Sequence, residues 1–131
     1  MEPLVYEDDY IRGILRRTKT IAMVGASTNW TRPSFFAMKY LQAKGYRVIP
    51  VNPAAAGQDL LGETVRASLK DVDVPIDMVD VFRASEHVGP VADEAIAVKA
   101  KTLWMQLGVR NDAAAAKANK AGLDVVMDRC P

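Results

Sequence analysis

The stretch Thr20-Ile-Ala-Met-Val-Gly-Ala-Ser-Thr-Asn-Trp-Thr-Arg-Pro-Ser34 decides the fold of this chain. Four apolar residues, 21–24, predict a buried strand, and a turn of small residues follows. Pro33 then suits the first turn of a helix, where its missing N–H costs nothing. This order directs main-chain N–H groups and the helix dipole at one point, which favours a bound phosphate. The turn differs from the dinucleotide motif G-x-G-x-x-G, because only Gly25 stands at the strand exit, before Ala26 and Ser27.

Strands and helices alternate along the rest of the chain. Mostly apolar segments at 46–51, 76–82, 102–106 and 123–127 predict four more strands, and 60–65 predicts a short extended piece. Helices are predicted over 33–44, where Phe36, Tyr40 and Leu41 are expected to face the core, and over 88–101 and 112–121. The alternation predicts a single α/β domain at 20–131 with a doubly wound, five-stranded parallel sheet. Residues 1–19 are predicted to form a helical arm, because their apolar residues lie three and four apart.

The composition of the 131 residues is that of an ordinary globular protein. Seventeen basic and sixteen acidic side chains leave a net charge of +1, which favours neither nucleic acid nor an anionic membrane as a partner. The single cysteine, Cys130, suits a reducing compartment, and the first residues lack the basic and apolar regions of a secretory signal. We therefore expect a cytoplasmic protein. No spaced His/Cys cluster predicts a metal site, and no Ser-His-Asp or paired-carboxylate set predicts a catalytic one.

Ligands of doubly wound sheets bind beyond the carboxyl ends of the strands, at the point where the strand order reverses. In the first loop, main-chain N–H groups, the hydroxyls of Ser27, Thr28 and Thr31, and the Arg32 guanidinium are candidate donors to a phosphate. The alternative is a tight turn with a solvated Arg32. After the second strand, Asn52-Pro53 stands where an NAD site has an acid, and residues 54–56 lack the arginine typical of NADP sites. Both dinucleotides are disfavoured, although Asn52-Pro53 also suits a plain turn.

Further candidates follow the third and fourth strands. Phe82 and Arg83 could flank an adenine ring, although a large aromatic side chain is as often buried in a core. Ser85 could cap the next helix. Gln106 and the main-chain amide of Gly108 could face a ligand, or they could belong to another tight turn.

Four remaining side chains have simpler interpretations. Trp30, in the first loop, could cover a ligand base or mark a contact surface. Trp104 lies in mid-strand and is expected in the core. His87 is expected at the surface, and Cys130 stands beside Arg129 without a neighbouring base.

A set of motifs occurs in order along nearly the whole chain, from about Tyr10 to the end. Its members are Val24-Gly-Ala-Ser27, Arg32-Pro-Ser34, Tyr40-Leu41, Gly45-Tyr46, Pro50-Val-Asn-Pro53, Leu61-Gly62, Ser68-Leu69, Asp80 with Phe82-Arg83, Trp104-Met-Gln-Leu-Gly108, Ala121-Gly122 and Val126-Met-Asp-Arg-Cys-Pro131. In this combination the chain resembles the small stand-alone CoA-binding proteins. These are similar to the CoA-binding domains of the succinyl-CoA synthetase alpha subunit and of ADP-forming acyl-CoA synthetases.

The resemblance implies a Rossmann-like fold that binds coenzyme A. By it, Asn52 and Pro53 would lie against the nucleotide, and Phe82, Arg83 and Ser85 would line the adenine or pantetheine side. The CoA phosphates would be surrounded by Gly25, Ala26, Ser27, Arg32, Pro33 and Ser34. Many relatives carry a Lys or Arg just after the Asn-Pro pair, where this chain has Ala54-Ala55. The 131 residues do not include the synthetases' second domain with its phosphorylated histidine, so ligase activity is not implied.

Three functional hypotheses remain open at this point. The first is a cytoplasmic module that binds CoA or an acyl-CoA without catalysis of its own. The second is an enzyme that uses acyl-CoA or a nucleotide, or an enzyme subunit completed by a partner chain. The third is a redox sensor in which Cys130 forms a mixed disulfide with the CoA thiol.

Overall fold

The computed structural model describes residues 3–130. The helices are α1 (Asp8–Arg17), α2 (Pro33–Ala43), α3 (Val88–Ala97) and α4 (Asp112–Lys120). The strands are β1 (Thr20–Val24), β2 (Arg47–Val51), β3 (Asp59–Leu60), β4 (Glu63–Thr64), β5 (Met78–Val81), β6 (Thr102–Met105) and β7 (Asp124–Val126). Short 3-10 turns occur at Pro53–Ala55, Leu69–Asp71 and Ser85–His87. Met1, Glu2 and Pro131 lie outside the described residues, and with them the outer ends of the predicted arm, of the domain at 20–131 and of the last motif.

Five strands form one parallel sheet in the order β2-β1-β5-β6-β7. The predicted α/β fold with a five-stranded, doubly wound parallel sheet is confirmed. In the centre of the sheet, Val24 lies opposite Val51 on one side and Val81 on the other. Because β2 and β5 flank β1 on opposite sides, the strand order reverses between β1 and β5. Gly25 and Phe82, which follow these two strands, stand at the switch point.

Each face of the sheet is covered by two helices. α1 and α2 pack on the face that carries Ile21, Met23 and Trp104, and α3 and α4 pack on the face that carries Ala22 and Val79. The Trp104 side chain is buried, as predicted from its place in mid-strand. Burial on both faces of the sheet explains why its strands are apolar at most of their positions.

Helix α2 presents a different face to the core from the one predicted. Phe36 and Tyr40 are 57% and 53% exposed, so the prediction that they point inward is wrong, whereas Leu41 is buried as expected. The buried face is made by Ser34, Met38 and Leu41, spaced four and three residues apart. Since α2 is apolar on two adjacent faces, periodicity alone could not show which one the sheet would cover.

The extended piece predicted at 60–65 is a small hairpin. β3 and β4 pair antiparallel around a turn in which Leu61 and Gly62 have φ of 49° and 87°. Positive φ at both central residues is the turn geometry that matches the twist of two short strands. A bridge between Val51 and Arg66 joins the segment after the hairpin to β2 at one edge of the sheet.

The N-terminal arm covers the opposite edge of the sheet. The Tyr10 hydroxyl donates to the Val125 carbonyl and accepts from the Val125 N–H, both at 3.0 Å. The Tyr6 hydroxyl accepts from the Met127 N–H at 2.9 Å. Ile14 of α1 is fully buried in the core. Side chains of the arm therefore satisfy main-chain groups of the edge strand β7 that a further strand would otherwise pair. The division of the chain at residue 19 stays a prediction.

Candidate functional site

The switch point is built on a close approach between the ends of β1 and β5. Gly25 has a φ of 87°, and a Cβ atom added to it would lie 2.2 Å from the main-chain oxygen of Phe82. No L side chain fits this backbone conformation at that distance. Glycine is therefore required here by the contact between two strand exits.

The loop after β1 is held together by its own side chains. The Ser34 hydroxyl, which is buried, accepts a hydrogen bond from the Ser27 N–H at 3.0 Å. The Ser27 hydroxyl in turn accepts from the Asn29 N–H, and the Asn29 side chain accepts from the N–H and the hydroxyl of Thr31. The first turn of α2 is thereby tied to the end of β1, and the loop has a defined shape.

The start of α2 presents an exposed cation beside the positive end of the helix dipole. Arg32 is the N-cap residue but makes no capping hydrogen bond through its side chain, and Pro33 follows it. Within residues 3–130 the Arg32 guanidinium is exposed and has neither an ion pair nor a hydrogen bond. The positive end of the helix dipole and an exposed guanidinium at one place favour an anion.

Asn52 connects this loop to the one after β2. Its side-chain amide donates to the Ala26 carbonyl at 2.9 Å, and its side-chain oxygen accepts from the Ala54 N–H at 3.0 Å. Asn52 is thus the cap of the turn at Pro53–Ala55 and a brace for the first loop. An aspartate could make the second of these bonds but not the first, because it has no N–H to donate.

A hollow of about 250 Å³, here called the loop hollow, opens over this loop. It is lined by Gly25, Ser27, Arg32, Pro33, Ser34 and Phe82. Its walls therefore offer hydroxyls, one guanidinium and the start of α2. None of the six lining residues carries a carboxylate that would repel a phosphate.

A second hollow, here called the outer hollow, adjoins the first on the side of β2. It has a volume of about 220 Å³ and shares Gly25 with the loop hollow. Its polar wall is formed by Ser68, Arg83, His87 and Glu94, and its apolar wall by Val24, Val51, Pro53, Ala67, Pro90 and Val91. His87 is exposed, as predicted.

A third hollow, here called the apolar pocket, adjoins the loop hollow on the side of β6. It has a volume of about 760 Å³ and shares Pro33 and Phe82 with the loop hollow. One wall is the exposed face of α2, and the other is formed by residues that follow β5, β6 and β7: Phe82, Gln106, Leu107, Val109 and Cys130. The size is that of a small-molecule site.

A buried carboxyl group lies beneath the apolar pocket. Asp80, in β5, is fully buried, and its Oδ1 accepts a hydrogen bond from Nε2 of Gln106, which is 5% exposed. Burial raises the pKa of Asp80 to about 7, and the hydrogen bond from Gln106 offsets only part of this rise. No partner for its Oδ2 exists within residues 3–130. Asp80 thus holds the Gln106 side chain in place at the pocket wall.

The same edge of the sheet contains two features that the sequence interpretation placed differently. The Gly108 N–H donates to the Asp128 carboxylate at 2.6 Å, so this amide is used within the fold and does not face a ligand. The Ser85 hydroxyl accepts from the Arg110 N–H at 2.9 Å and makes no capping hydrogen bond at the next helix, so the capping alternative does not apply. Both contacts join loops from distant parts of the chain.

A sequence-family model described as a CoA binding domain matches residues 19–131. This chain belongs to the CoA-binding domain family. The uncharacterized protein YneT of Bacillus subtilis is 42% identical to it over 120 residues, which cover 92% of this chain and 87% of YneT. The expectation drawn from the motifs is confirmed at the level of the family.

Solved structures extend this comparison. A protein from Thermus thermophilus and a hypothetical protein from Pyrococcus horikoshii each share 38% identity with this chain at a TM-score of 0.91. The alignments cover 95% and 99% of this chain, and 93% of each of those chains. A dinucleotide-forming acetyl-coenzyme A synthetase from Ca. Korarchaeum cryptofilum shares 20% identity with this chain at a TM-score of 0.72. The alignment covers 84% of this chain and 26% of the synthetase chain. That last likeness shows a shared fold alone.

The residues implied by the resemblance fall into two groups in this CoA-binding domain. Those that line the hollows are Gly25, Ser27, Arg32, Pro33, Ser34, Pro53, Phe82 and Arg83. Ala26, Asn52 and Ser85 do not line them: Ala26 is 1% exposed, and Asn52 and Ser85 brace the loops. Phe82 and Arg83 line different hollows, which does not fit one adenine ring held between the two.

Sequence reasoning missed the buried Asp80–Gln106 pair as a unit. An aspartate within the apolar strand Met78-Val-Asp-Val81 was the available signal, since an ionisable residue in a strand covered on both faces needs a partner. Trp30 is 68% exposed and lines none of the three hollows. Among residues 3–130 no group of three or more potential metal ligands occurs, and no helix is long and apolar enough to cross a bilayer.

Proposed function

We propose that this protein binds coenzyme A or its thioesters across the carboxyl edge of the sheet and catalyses no reaction by itself. The loop hollow carries the proposal, because this chain belongs to the CoA-binding domain family. In that hollow the start of α2, which no side chain caps, lies beside Arg32, which has no partner within residues 3–130. The diphosphate of CoA is the ligand we assign to this hollow. Two phosphates need donors and positive charge, which this hollow supplies.

The nucleotide end of CoA is assigned to the outer hollow. Pro53 and Val51 offer an apolar surface to the adenine ring, and Arg83 offers positive charge to the 3′-phosphate. Within residues 3–130 the Arg83 guanidinium is exposed and has neither an ion pair nor a hydrogen bond. Ala54 and Ala55 lack the cation that many relatives carry, so Arg83 takes over this contact in the proposal.

The absence of a reaction is proposed from the chemistry of the loop hollow. Its lining residues offer hydroxyls, an arginine and apolar surface. His87 and Glu94 line the outer hollow and Cys130 lines the apolar pocket, so no hollow combines a thiol with a histidine or carboxylate base. The proposal includes a cytoplasmic location, because a reducing compartment suits the exposed Cys130.

Isothermal titration of the full chain with CoA, NAD and NADP tests the proposal. We expect heat with CoA and none with the two dinucleotides at the same concentration. Arg32→Ala should weaken CoA binding about tenfold or more, because a charge-assisted hydrogen bond to phosphate is lost. The control is Arg16→Ala, which removes another exposed arginine, on α1, and should leave the affinity unchanged. No heat with CoA at millimolar concentration would sink the proposal.

Dephospho-CoA tests the role assigned to Arg83. Wild-type protein should bind CoA more tightly than dephospho-CoA, and Arg83→Ala should bring the two dissociation constants close together. If wild-type protein and Arg83→Ala prefer CoA over dephospho-CoA by the same factor, Arg83 does not contact the 3′-phosphate.

A further inference from the structure

An apolar stripe on α2 remains uncovered by the core. Pro33, Phe36, Ala37 and Tyr40 follow one another at spacings of three, one and three residues, so they share one side of the helix. Phe36 and Tyr40 are 57% and 53% exposed, and Leu107, on the opposite wall of the apolar pocket, is 72% exposed. Large apolar side chains gathered around one concavity mark a binding site rather than ordinary surface.

The apolar pocket adjoins the site assigned to the CoA diphosphate. Pro33 and Phe82 each line both the apolar pocket and the loop hollow, and Gly25 lines both the loop hollow and the outer hollow. The three hollows therefore form one row along the edge of the sheet. The outer hollow has a mixed polar, charged and apolar lining, and the loop hollow offers hydroxyls and Arg32. The lining of the apolar pocket is almost wholly apolar.

This order of polarity matches a CoA thioester from its nucleotide to its acyl end. We propose that the ligand is an acyl-CoA with an uncharged, medium-length acyl chain, and that the apolar pocket holds this chain. The inference rests on the proposed function and names the substrate class of the same site. The volume of about 760 Å³ gives such a chain more room than the bare thiol of CoA requires.

The polar groups of the pocket limit which acyl groups fit. No Lys, Arg or His lines the apolar pocket, so a free carboxylate at the end of the acyl group would be desolvated without a counter-charge. Gln106 supplies an amide whose position is held by Asp80. A fixed, uncharged amide suits the amide or thioester oxygen that precedes the chain. The pocket therefore selects for uncharged acyl groups.

Titration with a series of CoA thioesters tests the inference. Each methylene group moved from water into an apolar site improves affinity about fourfold, so octanoyl-CoA should bind at least about tenfold more tightly than CoA even with partial burial. Butanoyl-CoA should bind more tightly than succinyl-CoA, which has the same number of acyl carbons and a terminal carboxylate.

Variants of the pocket separate the acyl contribution from the binding of CoA itself. Ala37→Trp fills the space beside α2, and Leu107→Gln removes an apolar wall at an exposed position where folding is little affected. In both variants the dissociation constant for octanoyl-CoA should rise toward that for CoA, so the ratio of the CoA constant to the octanoyl-CoA constant should fall toward one. Val5→Gln, at a residue that is 85% exposed and does not line the pocket, is the matched control and should leave the ratio unchanged.

The outcomes distinguish this inference from the proposed function. Equal affinities of wild-type protein for CoA and octanoyl-CoA would overturn the inference and leave CoA binding intact. No binding of any thioester or of CoA would remove the proposed function as well. A stable dimer in sedimentation velocity that Ala37→Trp dissociates would also overturn the inference, because a second copy would then occupy the pocket.

Discussion

At the scale of single residues, Gly25 and Asp80 show how the fold limits the composition of the switch point. Gly25 permits the exit of β1 to touch the main chain at Phe82. Asp80 is an ionisable residue in a strand that is covered on both faces, and it holds the one amide at the wall of the apolar pocket. Each can be tested by one substitution.

Gly25→Ala should destabilise the protein by about 2 kcal/mol or more, because alanine is strained at positive φ and its Cβ would collide with the Phe82 carbonyl. Urea unfolding followed by circular dichroism measures this loss. Gly13→Ala is the matched control: its helical position has no atom within 4 Å of the added Cβ, and the change should stabilise by about 0.5–1 kcal/mol. Similar effects of the two substitutions would contradict the assigned contact.

Asp80 should make the stability depend on pH in the direction opposite to that of a salt-bridged aspartate. Its pKa is about 7 in the folded protein and about 3.9 when unfolded, so between these values only the folded state holds the proton. Its contribution is full below about pH 4 and is lost as the pH rises through about 7. The free energy of unfolding should therefore fall by about 1.4 kcal/mol per pH unit over this range.

Urea unfolding between pH 5 and pH 8 measures this slope. Asp80→Asn should remove it, whereas Asp59→Asn, at an exposed residue, should keep the wild-type slope. If Asp80→Asn and wild-type protein lose stability in parallel as the pH rises, the pH dependence does not come from Asp80.

At the scale of elements, α2 and the N-terminal arm each have two roles. One face of α2 packs on the sheet through Met38 and Leu41, while the adjacent face forms a wall of the apolar pocket. The arm buries Ile14 in the core and also places Tyr6 and Tyr10 against the edge strand β7. Element type was predictable in both cases, but the second role was not.

Tyr10→Phe should expose the edge of β7. The substitution removes both hydrogen bonds to Val125, with an expected loss of about 1–3 kcal/mol in the free energy of unfolding. Open strand edges also promote pairing between molecules, so self-association in sedimentation velocity should increase. Tyr40→Phe is the control, because its hydroxyl makes no hydrogen bond within residues 3–130; it should change stability by about 0.5 kcal/mol or less. Equal stability of the two variants would contradict a role of the arm in protecting β7.

At the scale of the whole molecule, the predicted sheet was right because each of its strands has a strong local signal. Runs such as residues 21–24 and 103–105 are apolar on both faces, and small residues or turns end each of them. The tiny hairpin at β3 and β4 was predicted only as an extended piece, since two-residue strands carry almost no periodicity. Most predicted elements end one to four residues beyond the observed ones, because helix and strand ends depend on tertiary hydrogen bonds.

The loops of the candidate site were predictable in place but not in detail. The switch-point rule located Gly25 to Ser34 and Phe82 to Arg83 at the carboxyl edge before any contact was known. The separate roles of residues within these loops depended on contacts far apart in sequence. Asn52 braces Ala26, and Ser85 braces Arg110, through hydrogen bonds that span 26 and 25 residues.

By itself, the sequence determined the class of fold, the strand exits, the glycine turn after β1 and the lack of an acid at Asn52, because each follows from side-chain type and short-range spacing. Only the tertiary structure decided that Phe36 and Tyr40 face an open pocket, that Asp80 is buried against Gln106, and that three hollows form one row. Periodicity specifies which faces of a helix are apolar, whereas strand order and packing decide which of those faces another element covers. The proposed ligand site lies beside the face of α2 that no other element covers.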